Sequence, residues 1–335
     1  TPPIEGTLPM PIMPSRRAFT TGALAGLAAA ALSPVGRARA ATPLSFQSIW
    51  INDPEFAGYF IAIDKGYYAA EGLDLTYIPG GPDVIPQASL LTGKADIALT
   101  SLLETASAVS EKGAPFKIVG AQFQRSPDSI ISLEATGITS IKDLVGKTVA
   151  CPPLNDGTFK IILAANGIAA DQVKIVPYAF DPTPLATGQV DAVVDFMTSL
   201  PFIVEQTTGK KTSFILFADA GIPYGQDLVT VTEETLATRR ADVVAFLRAS
   251  RKGWDENFTD PVKYAKDFES TWYKGNGYTP EAADFHAKIQ VDLIKHPKGV
   301  FTMDDEWLAK NLATLEKVGI KASPDLFDTS LLAEI

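Results

Sequence analysis

The chain has 335 residues, 46% hydrophobic and 20% charged, which is enough for two domains of ordinary size, each with its own core. Its 39 acidic and 29 basic side chains leave a net charge of −10, so no basic footprint for nucleic acid is present. The single cysteine, Cys151, excludes an intramolecular disulfide; at the end of the apolar run Thr148-Val149-Ala150 it reads as a small buried residue rather than a nucleophile.

Residues 1–40 read as a signal peptide. Ser15-Arg16-Arg17-Ala18-Phe19 precedes an Ala/Gly-rich, weakly apolar run from Thr21 to Ser33, and Ala38-Arg39-Ala40 supplies small residues for cleavage. The paired arginines favour the twin-arginine export type over an ordinary secretory signal. The run is shorter than the roughly 20 apolar residues of a membrane span. The expected product is periplasmic and starts at Ala41.

From there Leu44 to Trp50 alternates as a strand. Trp50-Ile51-Asn52-Asp53-Pro54-Glu55-Phe56 breaks the alternation and leads into a helix over Ala57 to Ala70. Ligands of open α/β sheets sit at the carboxyl ends of strands, which makes Trp50, Asn52 and Tyr59 candidates, with core packing the other reading of the two aromatics. A second strand, Leu73 to Ile78, ends in Pro79-Gly80-Gly81-Pro82-Asp83, where Gly81 either lets backbone N–H groups approach a ligand or only makes a turn. After a helix ending at Thr92, the strand Asp96 to Leu99 delivers Thr100, Ser101 and Glu104 to the same edge. Ser101 either caps the following helix or bonds a ligand. Phe116 to Ala121 is a strand leading to Gln122-Phe123-Gln124-Arg125-Ser126.

The strand Gly146 to Ala150 runs into Pro152-Pro153-Leu154-Asn155-Asp156-Gly157-Thr158 and a helix from Phe159 to Asn166. Helix N-termini offer free N–H groups, and Asp156 and Thr158 stand there as caps or as ligand contacts. The strand Asp191 to Val194 ends at Asp195, a carboxylate suited to accept from ring N–H or amino groups and to repel a sulfonate or nitrate. After the strand Phe214 to Phe217, Gly221-Ile222-Pro223-Tyr224-Gly225-Gln226-Asp227 leads into Leu228 to Val231. Helices follow over about 234–257, 261–272, 280–294 and 304–318. Asp304-Asp305-Glu306 suits a helix start and needs no metal. One pattern recurs: Gly72, Gly93 and Asp96 are spaced as Gly167, Gly188 and Asp191, which reads as a structural repeat with two similar α/β lobes.

The motifs then become specific. Trp50, Phe56-Ala57-Gly58-Tyr59-Phe60-Ile61-Ala62, Lys65-Gly66-Tyr67-Tyr68, Glu71-Gly72-Leu73-Asp74, Pro79-Gly80-Gly81 and Gly93-Lys94-Ala95-Asp96-Ile97 resemble, in order and spacing, a solute-binding family. That family serves ABC importers for sulfonates, nitrate, thiamine pyrimidine precursors and riboflavin. Gly137-Ile138 with Lys142 to Val149, and Phe246 to Trp254 with Asp260-Pro261, are similar to its middle and late signatures.

The resemblance implies an α/β, two-lobed periplasmic-binding-protein fold of type II, with two Rossmann-like lobes joined by a two-crossing hinge. Lobe 1 is expected from 41–130 plus 228–335 and lobe 2 from 131–227, with crossings near Pro127 to Leu133 and near Gly221 to Asp227. It implies a monomeric receptor, not an enzyme, that takes one small molecule between the lobes and presents it to a membrane permease, without cofactor, metal or nucleic acid. Gln122 to Ser126 and the Gly80 to Asp83 loop look most like the branch for aromatic heterocycles, thiamine pyrimidines or riboflavin. In that branch Trp50 and Tyr59 would stack on the ring, with Asn52, Gly81, Ser101, Gln122, Asp156, Thr158, Asp195 and Tyr224 around it. Asp195-Phe196-Met197-Thr198-Ser199-Leu200-Pro201 departs from that branch and leaves the ligand open. An anion receptor anchored by Arg125 is the alternative. A pyrimidine-synthase-like enzyme would need a Cys-rich segment and a reactive histidine, and His286 and His296 come late in polar surroundings.

Overall fold

The computed structural model describes residues 41–153 and 155–335; the expected signal peptide lies outside the described residues. Among the described residues, short apolar runs punctuated by Gly and Pro form ten strands: β1 (Thr42–Gln47), β2 (Leu73–Ile78), β3 (Ile97–Thr100), β4 (Phe116–Phe123), β5 (Asp128–Leu133), β6 (Thr148–Cys151), β7 (Lys174–Pro177), β8 (Ala192–Phe196), β9 (Thr212–Leu216) and β10 (Gln226–Thr232). They make two five-stranded sheets, ordered β2-β1-β3-β10-β4 and β7-β6-β8-β5-β9. In the first sheet β1 runs parallel to β2 and β3, and β10 lies antiparallel to β3. In the second β6 runs parallel to β7 and β8, and β5 lies antiparallel to β8. All four residues of β3 and all six of β5 are buried, as strands covered on both faces by helices must be.

The repeat read from the sequence is therefore a repeat of topology. Gly72, Gly93, Gly167 and Gly188 take φ of 80°, 68°, 76° and 77°, the left-handed conformation that ends a helix without a Cβ penalty. The two aspartates do the same work in each copy. Asp96 accepts from the Ser45 N–H at 2.8 Å and the Ser45 hydroxyl at 2.7 Å, and Asp191 accepts from the Thr148 N–H at 2.8 Å. Each carboxylate thus pins the entry of the third strand to the first.

The chain crosses between sheets twice, through 124–127 and through 217–225. The first crossing comes earlier than expected, because β5 pairs along its length with β9 and is bonded to β8 from Asp128 onward. The Ser126 N–H donates to the Tyr224 carbonyl at 2.8 Å, and Asp128 accepts from the Ser126 and Tyr224 hydroxyls, both at 2.7 Å, so the crossings are tied together. The helix Asp305–Lys317 lies along the second crossing, where Asn311 accepts from the Gly225 N–H at 2.8 Å and Thr314 donates to the Pro223 carbonyl at 2.6 Å.

The helix expected over Ala57 to Ala70 is two, Ala57–Asp64 and Tyr67–Ala70, because Gly66 between them is left-handed at φ 69°. The first of these packs on Glu233–Asn257 through facing glycines, Gly58 and Gly253; a Cβ on Gly253 would collide with the Gly58 carbonyl oxygen. Among the described residues no helix is long and apolar enough to cross a membrane.

Candidate ligand-binding site

Between the sheets, beside the two crossings, lies a cleft of about 160 Å³. Its floor is the turn that follows β1. Asp53 caps a short 3-10 turn, Pro54–Phe56, by accepting the Glu55 N–H at 2.8 Å. Three distant amides fix this turn by donating to its carbonyls: Asn276 to Asn52 at 2.8 Å, Gln290 to Pro54 at 2.7 Å and Gln122 to Glu55 at 2.8 Å. Asp53 and Glu55, each 2% exposed, line the cleft from there. Two other lining residues, Phe180 (φ 60°) and Asp227 (φ 54°), hold left-handed backbone, a conformation that costs about 1–3 kcal/mol and concentrates at functional sites.

The electrostatics are one-sided. Six carboxyls line the cleft, Asp53, Glu55, Glu104, Asp128, Asp195 and Asp227, with no Lys or Arg among the lining residues. Burial raises all six above the ordinary carboxylate range, and like-charge repulsion adds to it for all but Asp128. Asp195 is pushed up to about 6, although the Tyr178 hydroxyl and the Phe196 N–H both donate to it, at 2.8 and 2.6 Å. The charge of Asp227 adds to burial in raising Glu55.

His286, 1% exposed, completes the floor. Burial alone pushes its imidazole down to about 3, so the ring is neutral. The Tyr278 hydroxyl lies 3.2 Å from Asp53 and 3.1 Å from the His286 Nδ1. A hydroxyl that donates to the carboxylate accepts from Nδ1–H, which leaves Nε2 as a bare acceptor; Nε2 has no partner. At the rim the rings of Trp50 and Phe180 meet with centroids 5.1 Å apart, one from the turn after β1 and one from the loop after β7.

Of the residues expected at the site, Trp50, Ser101, Thr158, Asp195 and Tyr224 line the cleft. The other five do not. Tyr59 is fully buried in the first core, 4.8 Å from the Phe46 ring and edge-on to Trp254, because its helix is enclosed against the sheet and Glu233–Asn257. Asn52 is turned away, accepting from the Tyr77 hydroxyl at 2.8 Å. Gln122 stands behind the floor, where its amide holds Glu55 and reaches Asp227 at 3.1 Å. Gly81 lies in the loop beyond β2, outside the lining. Asp156 opens the helix Asp156–Ala165 without a capping bond and pairs with Lys160 at 2.6 Å. Arg125, the anchor of the anion alternative, pairs with Asp219 at 2.8 Å and is not among the lining residues.

Sequence reasoning passed over Asp53, Glu55, Asp128, Phe180, Asp227, Tyr278 and His286. Asp53 and Glu55 were in view as the turn at a strand end. His286 was in view only as a poor candidate for a reactive histidine, since only folding brings the helix Pro280–Ile289 against that turn.

Residues 53–264 match the family described as NMT1/THI5 like. The chain is an NMT1/THI5-like protein. It is 26% identical over 261 residues to the formylaminopyrimidine-binding protein of Halalkalibacterium halodurans, spanning 76% of this chain and 79% of that protein. To the riboflavin-binding protein RibY of Chloroflexus aurantiacus it is 25% identical over 217 residues, 63% of this chain and 61% of the other. The periplasmic aliphatic sulphonate binding protein SsuA of Escherichia coli, 13% identical, superposes with a TM-score of 0.63 over 83% of this chain and 91% of its own. The two sheets and two crossings of this NMT1/THI5-like chain are thus the periplasmic-binding-protein fold expected from the sequence.

Proposed function

We propose that this protein is the exported substrate-binding component of an ABC uptake transporter, a receptor that closes two lobes on one small aromatic heterocycle. The observation that carries this reading is the pairing of Trp50 and Phe180 across the mouth of a cleft lined by six carboxyls and no cationic side chain. A flat ring stacks on such aromatics, which contributes about 0.5–1.5 kcal/mol beyond area burial. Its N–H and amino groups donate to Asp195 and the floor. A sulfonate or nitrate would instead meet carboxyls and no cationic partner among the lining residues. The names of the relatives support the heterocycle class, a thiamine pyrimidine precursor or riboflavin. The paired Arg16-Arg17 supports export by the twin-arginine route to the periplasm, and the partner is a permease in the cytoplasmic membrane.

A thermal-shift titration of the purified protein with pyrimidines, riboflavin, alkyl sulfonates and nitrate tests the proposal. Ligand at 100 times its Kd stabilises by about 2.7 kcal/mol. A heterocycle is expected to raise Tm and the anions to leave it unchanged. A shift with sulfonate or nitrate alone overturns the reading.

A further inference from the structure

Resting on the reading of this cleft as the ligand site, we propose that its floor is a subsite for an organic ammonium group, so that the ligand is a cationic amine carried on an aromatic ring. Asp53, Glu55 and His286 each offer one acceptor atom, all three lie within 4.8 Å of one another, and all three residues are buried. The second observation is the imidazole itself. His286 is 1% exposed, lines the cleft, and keeps Nε2 without a partner. A buried acceptor left without a donor is destabilising by about 1–3 kcal/mol unless something fills the need. Asp227, beside Glu55 and fully buried, has a carboxyl oxygen in the same condition.

The spacing suits an organic ammonium. An ammonium donates three N–H bonds of about 2.8 Å in tetrahedral directions, which sets its acceptors about 4.6 Å apart. Acceptors that lie within 4.8 Å of one another accommodate the ammonium. Charge points the same way: among the described residues no Lys or Arg lines the cleft, so no side chain competes with an ammonium for these carboxyls. The Trp50 and Phe180 rings at the rim then hold the aromatic part while the amine reaches the floor.

Two matched pairs test this by calorimetry on the full chain at neutral pH: a 5-aminomethylpyrimidine against its 5-hydroxymethyl isostere, and benzylamine against benzyl alcohol. Each amine is expected to bind at least about tenfold tighter than its alcohol, because a charge-assisted bond is roughly twice as strong as a neutral one. Glu55→Gln and His286→Gln are each expected to narrow that ratio toward one, and their melting curves show whether they fold. Amines that bind no better than the alcohols, or not at all, overturn the subsite. So does Mn²⁺ or Zn²⁺ binding that His286→Gln abolishes without any preference for amines. If benzylamine binds and no pyrimidine does, the subsite stands and the heterocycle reading fails. If the pyrimidine alcohol binds as well as the amine, the receptor reading stands and the subsite fails.

Discussion

Asp195 offers the most direct test of the site's electrostatics, and Asp195→Asn is the perturbation. Its ordinary pKa of 3.8 is raised to about 6 in the folded chain, chiefly by burial. At ~1.4 kcal/mol per pKa unit, the ionised carboxylate therefore destabilises the folded state by about 3 kcal/mol. The sign follows from the raised value. The folded chain holds the proton more tightly than the unfolded one, so the favourable contribution is full below 3.8 and is lost as pH rises through about 6. Asparagine has no charge to desolvate and keeps both bonds, accepting from the Phe196 N–H and donating to the Tyr178 oxygen, which can reverse its role. Allowing about 1 kcal/mol for the weaker neutral bonds, the variant should be about 2 kcal/mol more stable near pH 8. In a chain of this length that is a Tm increase of about 4 °C.

Melting curves of both proteins from about pH 4 to pH 8, without ligand, check this. The difference should grow with pH across the window and vanish or reverse at its acid end. A constant difference would refute the argument, since it would mean that Asp195 carries no desolvation penalty. The same variant should bind the ligand more weakly. Unchanged affinity would remove Asp195 from the ligand's contacts.

Trp50→Ala should weaken ligand binding about threefold to tenfold, the equivalent of one lost stacking contact; unchanged affinity in calorimetry removes Trp50 from the site. Tyr59→Phe should leave binding intact and stability equal or up to about 1 kcal/mol higher, because its buried hydroxyl makes no hydrogen bond; a fall in affinity would restore Tyr59 to the cleft. Gly253→Ala should lower stability by about 1–3 kcal/mol in denaturant melts, since the added methyl meets the Gly58 carbonyl rather than a flexible side chain. Asp128→Asn should make the ligand-free protein more compact in solution scattering, because it removes the charge that raises Glu55, Glu104, Asp195 and Asp227; an unchanged radius of gyration counts against repulsion across the cleft.

Local signals carried most of the fold. The strand Leu73–Ile78 has the bounds its alternation suggests, and the left-handed glycines fall where the repeat places them. The aspartates just before β3 and β8 belong to the repeated spacing, and their role in pinning β1 and β6 depends on a neighbour that sequence does not reveal. The site was half legible for the same reason. Trp50 and Asp195 stand at strand ends, where α/β topology puts ligands, and both line the cleft. Tyr59 misled because an aromatic early in a helix after such a strand can face either the cleft or the sheet, and the facing glycines that draw its helix onto Glu233–Asn257 turn it inward. His286 misled in the other direction: late and in polar surroundings, it gave no site signal in the sequence, whereas the helix Pro280–Ile289 buries the face that carries it.

The distribution of the carboxyls across the two sheets links selectivity to motion. Asp53, Glu55, Glu104 and Asp227 belong to segments around the first sheet, Asp128 and Asp195 to strands of the second. Asp128 adds like-charge repulsion to Glu55, Glu104, Asp195 and Asp227, so the repulsion runs from one sheet to the other beside the crossings that a hinge motion must bend. A ligand shifts an open–closed equilibrium only by what it gains in one state over the other. A donor-rich or cationic ring gains most when both sets of carboxyls reach it, and it removes the repulsion that opposes their approach. An anion does the reverse. The contacts that would choose the ligand are therefore the ones that would drive closure on it, and neutralising either set of carboxyls should loosen both together.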